Sequence, residues 1–374
     1  MGNGGVMRKK ADVVVVITGA SAGVGRATAR EFAARNARIG LIARGKERLE
    51  SARIEVERAG GRGLPLSVDV TDEQALDEAA TAVERELGPI DIWVNSAMTT
   101  IFSPFLEIAL EEFARAMQVT FMGYVNGTRS ALRRMVPRDR GTIVQVGSAL
   151  SYRAIPLQSP YCAAKFAIRG FTDALRSELL GAKSHVHITM VQLPAVNTPQ
   201  FSWCRAHLER RPRPVAPVFQ PEVAARAIAW AADHRRREID VGASSTLVIL
   251  FNKMFPGLLD RYLVSTIEGQ QRSEPLDPTR PDNLFSPVPG DFSAHGEFGS
   301  ESRDSSPFFW ATTHRKWIGT AAAGLALAGV CLLGNRSGRV LSAKSMASRI
   351  KQSWWFGKDG RQAESVSTLG ERSQ

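Results

Sequence analysis

From residue 11 to about 245 the chain alternates two hydrophobic patterns. Short runs that are apolar on both faces occur at Val13–Ile17, Ile39–Ala43, Leu64–Val68, Ile90–Val94, Thr142–Val146 and His187–Leu193, and more weakly at Glu238–Val241. Runs of that length without polar alternation predict strands buried on both sides, as in a parallel sheet. Between them lie stretches with helical apolar spacing, near 24–35, 46–60, 72–87, 109–136, 160–181 and 221–234. Strict strand–helix alternation requires right-handed crossovers that put helices on both faces of the sheet. The expected fold is therefore α/β, a doubly wound parallel sheet of about seven strands occupying residues 10–250.

The pattern then fades. Residues 251–307 form a C-terminal extension, and from about 272 six prolines (Pro275, Pro278, Pro281, Pro287, Pro289, Pro307) accompany Gly, Ser and Asp. This composition predicts a surface extension passing into a flexible linker. Ile318–Gly334 follows, 17 residues without a formal charge, flanked by Arg315-Lys316-Trp317 and Arg336. As a helix, 316–334 has small residues at Gly319/Ala323 and Gly324/Ala328, spaced for close packing in lipid, and it is expected to attach the chain to a membrane. A helix docked on the folded domain is the alternative. The tail 335–374 holds eight Lys/Arg against three Asp/Glu and interleaves them with Trp354-Trp355-Phe356, which suits an anionic bilayer interface or a disordered polar tail.

Charge and cysteines narrow the class of protein. Lys and Arg exceed Asp and Glu by 48 to 37, which calls for an acidic partner such as a phosphorylated ligand or an anionic membrane. The positive residues are dispersed, so nucleic acid is not expected as a partner. Cys162, Cys204 and Cys331 lie far apart, which gives neither a disulfide framework nor a metal site and fits a reducing compartment. The five apolar residues after Arg8-Lys9-Lys10 are too few for a secretory signal. The expected location is a membrane with the folded domain 10–250 in the cytoplasm.

Candidate chemistry sits where strands end. The first strand runs into Thr18-Gly19-Ala20-Ser21-Ala22-Gly23-Val24-Gly25 and directly into a helix. In a Rossmann-type fold such a turn lets the backbone approach a pyrophosphate at the helix N-terminus, making Gly19, Ser21, Gly23, Val24 and Gly25 cofactor-binding candidates. The second strand ends in Arg44, with no acid to take a ribose hydroxyl. An arginine there favours the 2′-phosphate of NADP(H) over NAD. The fifth strand ends at Ser148, and Tyr161 and Lys165 follow on one face of the next helix, four residues apart. A tyrosine is a poor acid–base group at neutral pH unless a cation such as Lys165 stabilises its phenolate, while Ser148 can bond a substrate oxygen.

These motifs, in this order and spacing over roughly residues 10–245, resemble the short-chain dehydrogenase/reductase family. The resemblance also includes Asp69-Val70, Asn95 and Pro194 to Thr198. It implies catalysis by Ser148, Tyr161 and Lys165, with Tyr161 and Lys165 also contacting the cofactor. Asp69 and Val70 would border the adenine, Asn95 and Ala97 the adenosine side, and Pro194, Val196 and Thr198 the nicotinamide end. The implied reaction is hydride transfer between NADP(H) and a carbonyl or alcohol, and the membrane segment favours an apolar small-molecule substrate. A homo-oligomer is also implied.

Three positions depart from the family pattern. The NNAG motif reads Asn95-Ser96-Ala97-Met98, and PG reads Pro194-Ala195. The helix position of the catalytic Asn is Thr120, with Asn126 six residues on. Thr120 motivates an alternative, a catalytically idle NADP-binding regulator. Cys162 is expected to be a small packing residue, and Arg210-Arg211-Pro212-Arg213 a solvated or phosphate-facing loop. Phe201 and Trp203 are expected either to line a substrate lid or to pack in the core.

Overall fold

The computed structural model describes residues 13–315 and 320. Ile318–Gly334 and the tail 335–374 lie, apart from Thr320, outside the described residues. By contacts the chain divides into two units, 1–312 and 313–374. Among the described residues no helix is long and apolar enough to cross a membrane.

The first unit alternates strand and helix as the pattern predicts: β1 (Val14–Thr18), α1 (Gly23–Ala33), β2 (Arg38–Ala43), α2 (Lys46–Arg58), β3 (Arg62–Ser67), α3 (Glu73–Leu87), β4 (Ile92–Asn95), α4 (Leu110–Met117), α5 (Gly123–Met135), β5 (Thr142–Ser148), α6 (Ser159–Gly181), β6 (His187–Leu193), α7 (Pro221–Asp233) and β7 (Glu238–Asp240). The seven strands form one sheet in the order β7-β6-β5-β4-β1-β2-β3, and every pairing within it is parallel. Because β1 pairs with both β2 and β4, the chain reverses direction across the sheet there and leaves a crevice at the strand C-termini, where doubly wound folds bind ligands.

Two cores follow from the period of the pleat. Val15 and Ile17 pack with Phe32, Leu49, Val56 and Ile228 on the side covered by α1, α2 and α7. Val14 and Val16 pack with Leu76, Val83, Met135 and Leu179 on the side of α3, α5 and α6. Alternate residues of one strand thus serve opposite layers, and each fully buried aliphatic contributes roughly 1.5–3 kcal/mol.

Two segments differ from expectation. The stretch 109–136 is not one regular helix: a π-helical turn, Gln118–Met122, separates α4 from α5. Its looser turn shifts the register of the side chains that face the site. The second difference is larger. Residues 271–306, expected to be a flexible linker, run as a strap across the C-terminal edge of the sheet. Gln271–Pro275 pairs antiparallel with Arg210–Pro212, and Ser302–Arg303 pairs parallel with Val218–Phe219, which also pairs with Ala195–Val196. Leu284 is fully buried with Ile101, Ile108 and Ala116, and Ala294 packs on Ala27 and Ala225. Buried Arg26, itself fixed by an ion pair to Glu55 of α2, holds the strap by an ion pair to Asp291. Helices α8 (Ala243–Met254) and α9 (Pro256–Val264) precede the strap.

Candidate active site

The ends of β1, β2, β4, β5 and β6 open into a cavity of about 530 Å³. Its wall at the end of β1 is the glycine turn. A Cβ on Gly25 would stand 2.2 Å from the Gly19 carbonyl oxygen, so only glycine lets α1 start this close to the strand. Gly19, Ser21, Gly23, Val24 and Gly25 all line the cavity. The strap closes over this turn: Gly23 donates to the Ser293 carbonyl at 3.2 Å.

Arg44, just past β2 and beside this turn, lines one end of the cavity together with Arg48 from the first turn of α2. The Arg44 guanidinium donates to the carbonyls of Asn283, Leu284 and Phe285 and lies 3.9 Å from Asp69. In this structure, therefore, the donors expected to take a phosphate hold the strap against the site. Arg48 is buried, donates to the Val288 carbonyl, and lies over the rings of Trp203 and Phe292. Burial works to raise the Asp69 carboxyl, but bonds from the Thr71 backbone and Arg115 outweigh it and hold the group below its usual range. Around the cavity four arginines (Arg44, Arg48, Arg153, Arg213) and Lys165 line the wall with one acid, Asp69. A phosphorylated ligand suits that balance.

At the other end stand the three residues expected to be catalytic. Ser148 ends β5 and caps the short turn 149–151, its hydroxyl accepting from the Leu150 amide at 3.1 Å. That bond occupies an acceptor position and leaves the hydroxyl proton to point elsewhere. Tyr161 and Lys165 project from α6 into the same cavity, and the Lys165 ammonium lies 5.5 Å from the centre of the Tyr161 ring. Burial pushes the Tyr161 phenol above its ordinary value, with a hydrogen bond from Ser148 working against the rise. Burial pushes Lys165 down to about 7. Its ammonium donates to the Val146 carbonyl at 2.7 Å and to the Tyr124 hydroxyl at 3.2 Å. Tyr124, buried on α5, donates in turn to the same carbonyl at 2.9 Å.

Tyr124 is a site residue the sequence reading missed. A helical tyrosine carries no motif, and only the π-helical turn before it aims the ring at Lys165. Thr120, at the place of the family's Asn, faces away: its hydroxyl donates to the Thr99 carbonyl and accepts from the Thr99 amide. It is fully buried and does not line the cavity. Asn126 does not substitute for it either, since its amide holds the Val70 carbonyl at 3.0 Å and so positions the Asp69–Thr71 loop.

Of the other expected cofactor contacts, Val70, Ala97, Pro194, Val196 and Thr198 line the cavity. Asn95 requires a correction. It is fully buried, its oxygen accepting from Trp93 and its amide donating to Thr128 and Gln145, and it lies behind the wall that Ser96 and Ala97 form. A side chain with that many partners ties α5 to β4 and β5 and has no donor left for a ligand.

Phe201 and Trp203 are both lid and core: they line the cavity while nearly buried, packed on Phe102, Phe298 and Phe292. The strap holds this lid. Asn283 donates to the Trp203 carbonyl, Arg280 to those of Ser202 and Cys204, and Phe298 to the Asn197 side chain. A Cβ on Gly296 would stand 2.4 Å from the Thr198 carbonyl oxygen, which shows how closely strap and lid run. Arg210–Pro212 is an edge strand, with Arg211 paired to Glu297 and Arg213 to Glu301. Cys162 is buried and its thiol is pushed up to about 11 by burial, in keeping with packing and not with a reactive thiolate. Among the described residues no cluster could hold a metal ion.

Comparison with known proteins agrees with this geometry. The family model described as short chain dehydrogenase matches residues 13–208. The chain is 30% identical over 282 residues to an uncharacterized oxidoreductase, YxnA, of Bacillus subtilis, covering 75% of this chain and 79% of that protein. It is 30% identical over 228 residues to a fatty acyl-CoA reductase of Acinetobacter baylyi, 60% of this chain and 75% of that protein. It is 32% identical over 193 residues to a 3-dehydrosphinganine reductase of Danio rerio, 50% of this chain and 58% of that protein. A crystal structure of a metagenomic short-chain oxidoreductase in complex with NADP shares the fold, with a TM-score of 0.52 at 24% identity over 61% of this chain and 96% of that one. The crevice at the sheet switch point, the glycine turn, the Ser148, Tyr161 and Lys165 constellation and the family match over its first half place this chain in the short-chain dehydrogenase family of oxidoreductases.

Proposed function

We propose that the chain is an NADP(H)-dependent oxidoreductase that interconverts a carbonyl and an alcohol on an apolar substrate. The observation that carries this reading is one cavity with Ser148, Tyr161 and Lys165 at one end and Arg44 and Arg48 at the other. The glycine turn with Val70, Ala97, Val196 and Thr198 would hold the dinucleotide between them. The two arginines would hold its 2′-phosphate, exchanging strap carbonyls for phosphate oxygens. When bound, the nicotinamide supplies or accepts the hydride.

The chain's own residues handle the proton. In the reducing direction Ser148 orients the carbonyl oxygen and Tyr161 gives it a proton from its hydroxyl. Lys165 stabilises the phenolate left behind, and the Tyr124 hydroxyl with the Val146 carbonyl keeps the ammonium in position. Leu193, Phe201, Val215, Leu259 and Leu263 give the cavity an apolar wall that favours an apolar substrate. The names of two relatives, fatty acyl-CoA reductase and 3-dehydrosphinganine reductase, are in keeping with that class. Attachment to a membrane through 316–334, with the catalytic domain in the cytoplasm, completes the proposal, and fractionation with carbonate washing tests it.

The deciding experiment is a hydride-transfer screen of the full chain against carbonyls and alcohols with NADPH and NADH. Turnover with NADPH that falls at least about a hundredfold in Tyr161→Phe, with cofactor binding kept, is the expected result. Thr120, turned toward Thr99, favours the idle NADP-binding regulator as the second reading. Cofactor binding without turnover of any substrate would establish it.

A further inference from the structure

The outer face of α8 and α9 is unlike the rest of the surface. Eighteen large apolar side chains are exposed among the described residues, and seven of them fall within residues 247–264. A monomer's surface rarely gathers apolar side chains this densely without a binding role. Helix α9 shows why the face is two-sided. Leu259 and Leu263, four residues apart, are buried and line the cavity. Leu258 and Tyr262, on the adjoining side of the helix, are 57% and 65% exposed. Tyr262 also lines the cavity, which puts it at the mouth, beside half-exposed Val215. Met254 and Phe255 extend the exposed face onto the end of α8. The apolar interior of the cavity is therefore continuous with the apolar exterior of this helix pair.

The charges on the face identify its partner. Lys253 and Arg261 are exposed and form no ion pair among the described residues. The acid of α9, Asp260, is taken by Arg153, and α8 contains no acid. Aliphatic and aromatic side chains rimmed by unpaired cations are what an anionic bilayer interface binds. A second copy of this chain suits the face poorly, because a two-fold contact would bring Lys253 and Arg261 of both copies into one apolar interface with no free acid on α8 or α9 to pair them.

We infer that the outer face of α8 and α9 rests on an anionic lipid bilayer, so that the cavity mouth at Tyr262 opens toward the acyl chains and the apolar substrate passes from lipid into the site. The substrate route rests on the oxidoreductase proposal, whereas the bilayer contact rests on the surface alone. It is also separate from any attachment through 316–334, since it assigns a named face of the catalytic unit.

The test uses the full chain with Cys331→Ser and Leu258→Cys, labelled at position 258 with an environment-sensitive fluorophore. Cys162 and Cys204 are buried and do not compete for label. A matched protein carries the label through Glu86→Cys, on α3 near the N-terminal edge of the sheet. Vesicles of phosphatidylcholine with phosphatidylglycerol should shift the 258 label to the blue, pure phosphatidylcholine should do so less, and the 86 label should not respond. No shift at 258, or an equal shift at both positions, overturns the inference. So does a shift without vesicles that grows with protein concentration, which would assign the face to a second copy. Substrate delivery is read separately with Leu258→Glu, which lies outside the cavity wall. KM for a long-chain carbonyl presented in anionic vesicles should rise about tenfold, from lost apolar burial and added repulsion. Kinetics on a short water-soluble carbonyl should stay unchanged, and an unchanged vesicle KM would overturn the delivery route. Absence of hydride transfer to any soluble carbonyl would sink the oxidoreductase proposal and leave the label result to decide the bilayer contact.

Discussion

The sheet and the strap make contrasting uses of sequence. In the sheet, Val14 to Ile17 contribute four successive side chains to two cores, so burial follows from a local pattern of period two. In the strap, single anchors such as Leu284, Val288, Ala294 and Phe298 are buried at irregular intervals between prolines and polar residues. Part of its remaining hold comes from backbone carbonyls that accept from Arg44 and Arg48, and from Asp291 on Arg26. A segment of linker composition can thus be structural when a neighbouring surface supplies the pockets and the donors. The strap also ties the cofactor end of the cavity to the lid, which the sheet alone does not do.

Paired truncations give the sharpest measure of this contrast. Leu41→Ala in β2 should cost about 3–5 kcal/mol in chemical unfolding, as a fully buried core leucine does. Leu284→Ala should cost about 2–4 kcal/mol in the same experiment if the strap belongs to the folded unit. A cost below about 0.5 kcal/mol would mean that the strap is separable. Arg44→Ser probes the join between the two regions. NADPH binding should weaken by about 2 kcal/mol, roughly thirtyfold, with NADH binding little changed, and limited proteolysis within 276–290 should accelerate because the Asn283 and Phe285 carbonyls lose their donor, while Leu284 keeps Arg115. Equal weakening for both cofactors would remove Arg44 from the 2′-phosphate site.

Within the sheet region the effects are smaller and more specific. Tyr124→Phe keeps the ring over Lys165 but deletes the hydroxyl that accepts from it, and turnover should fall about tenfold with stability nearly unchanged. Lys165 gives a pH signature in the cofactor-free protein. Burial lowers it from 10.5 to about 7, so between those values the unfolded chain holds a proton that the folded chain has released. Its contribution therefore makes stability rise with pH across that window, by up to about 1.4 kcal/mol per unit, and adds no slope below 7. Lys165→Met should lack that rise. Parallel pH profiles for the two proteins would show that the amine titrates normally.

Much of the site was legible in the sequence because its parts are tied to strand ends. The turn at Gly19–Gly25 follows a buried strand and opens a helix, and the four-residue spacing of Tyr161 and Lys165 puts both on one helical face. Ser148, at the end of β5, faces them for the same reason. Asn95 shows where position along the chain stops being enough: it too ends a strand, yet its side chain points into the layer beneath α5, a matter of pleat and of the partners Trp93, Thr128 and Gln145.

The sequence by itself determined the alternation of strands and helices, the parallel sheet, the glycine turn, and the spacing of Ser148, Tyr161 and Lys165. All of these rest on interactions between residues close in the chain or on a hydrophobic period. Only the tertiary structure decided that Tyr124 reaches Lys165, that Thr120 turns to Thr99, that Arg44 and Arg48 hold a strap some 240 residues away, and that α8 and α9 keep an apolar face uncovered. Each of these depends on which surfaces meet across long separations, where no local period or composition records the partner.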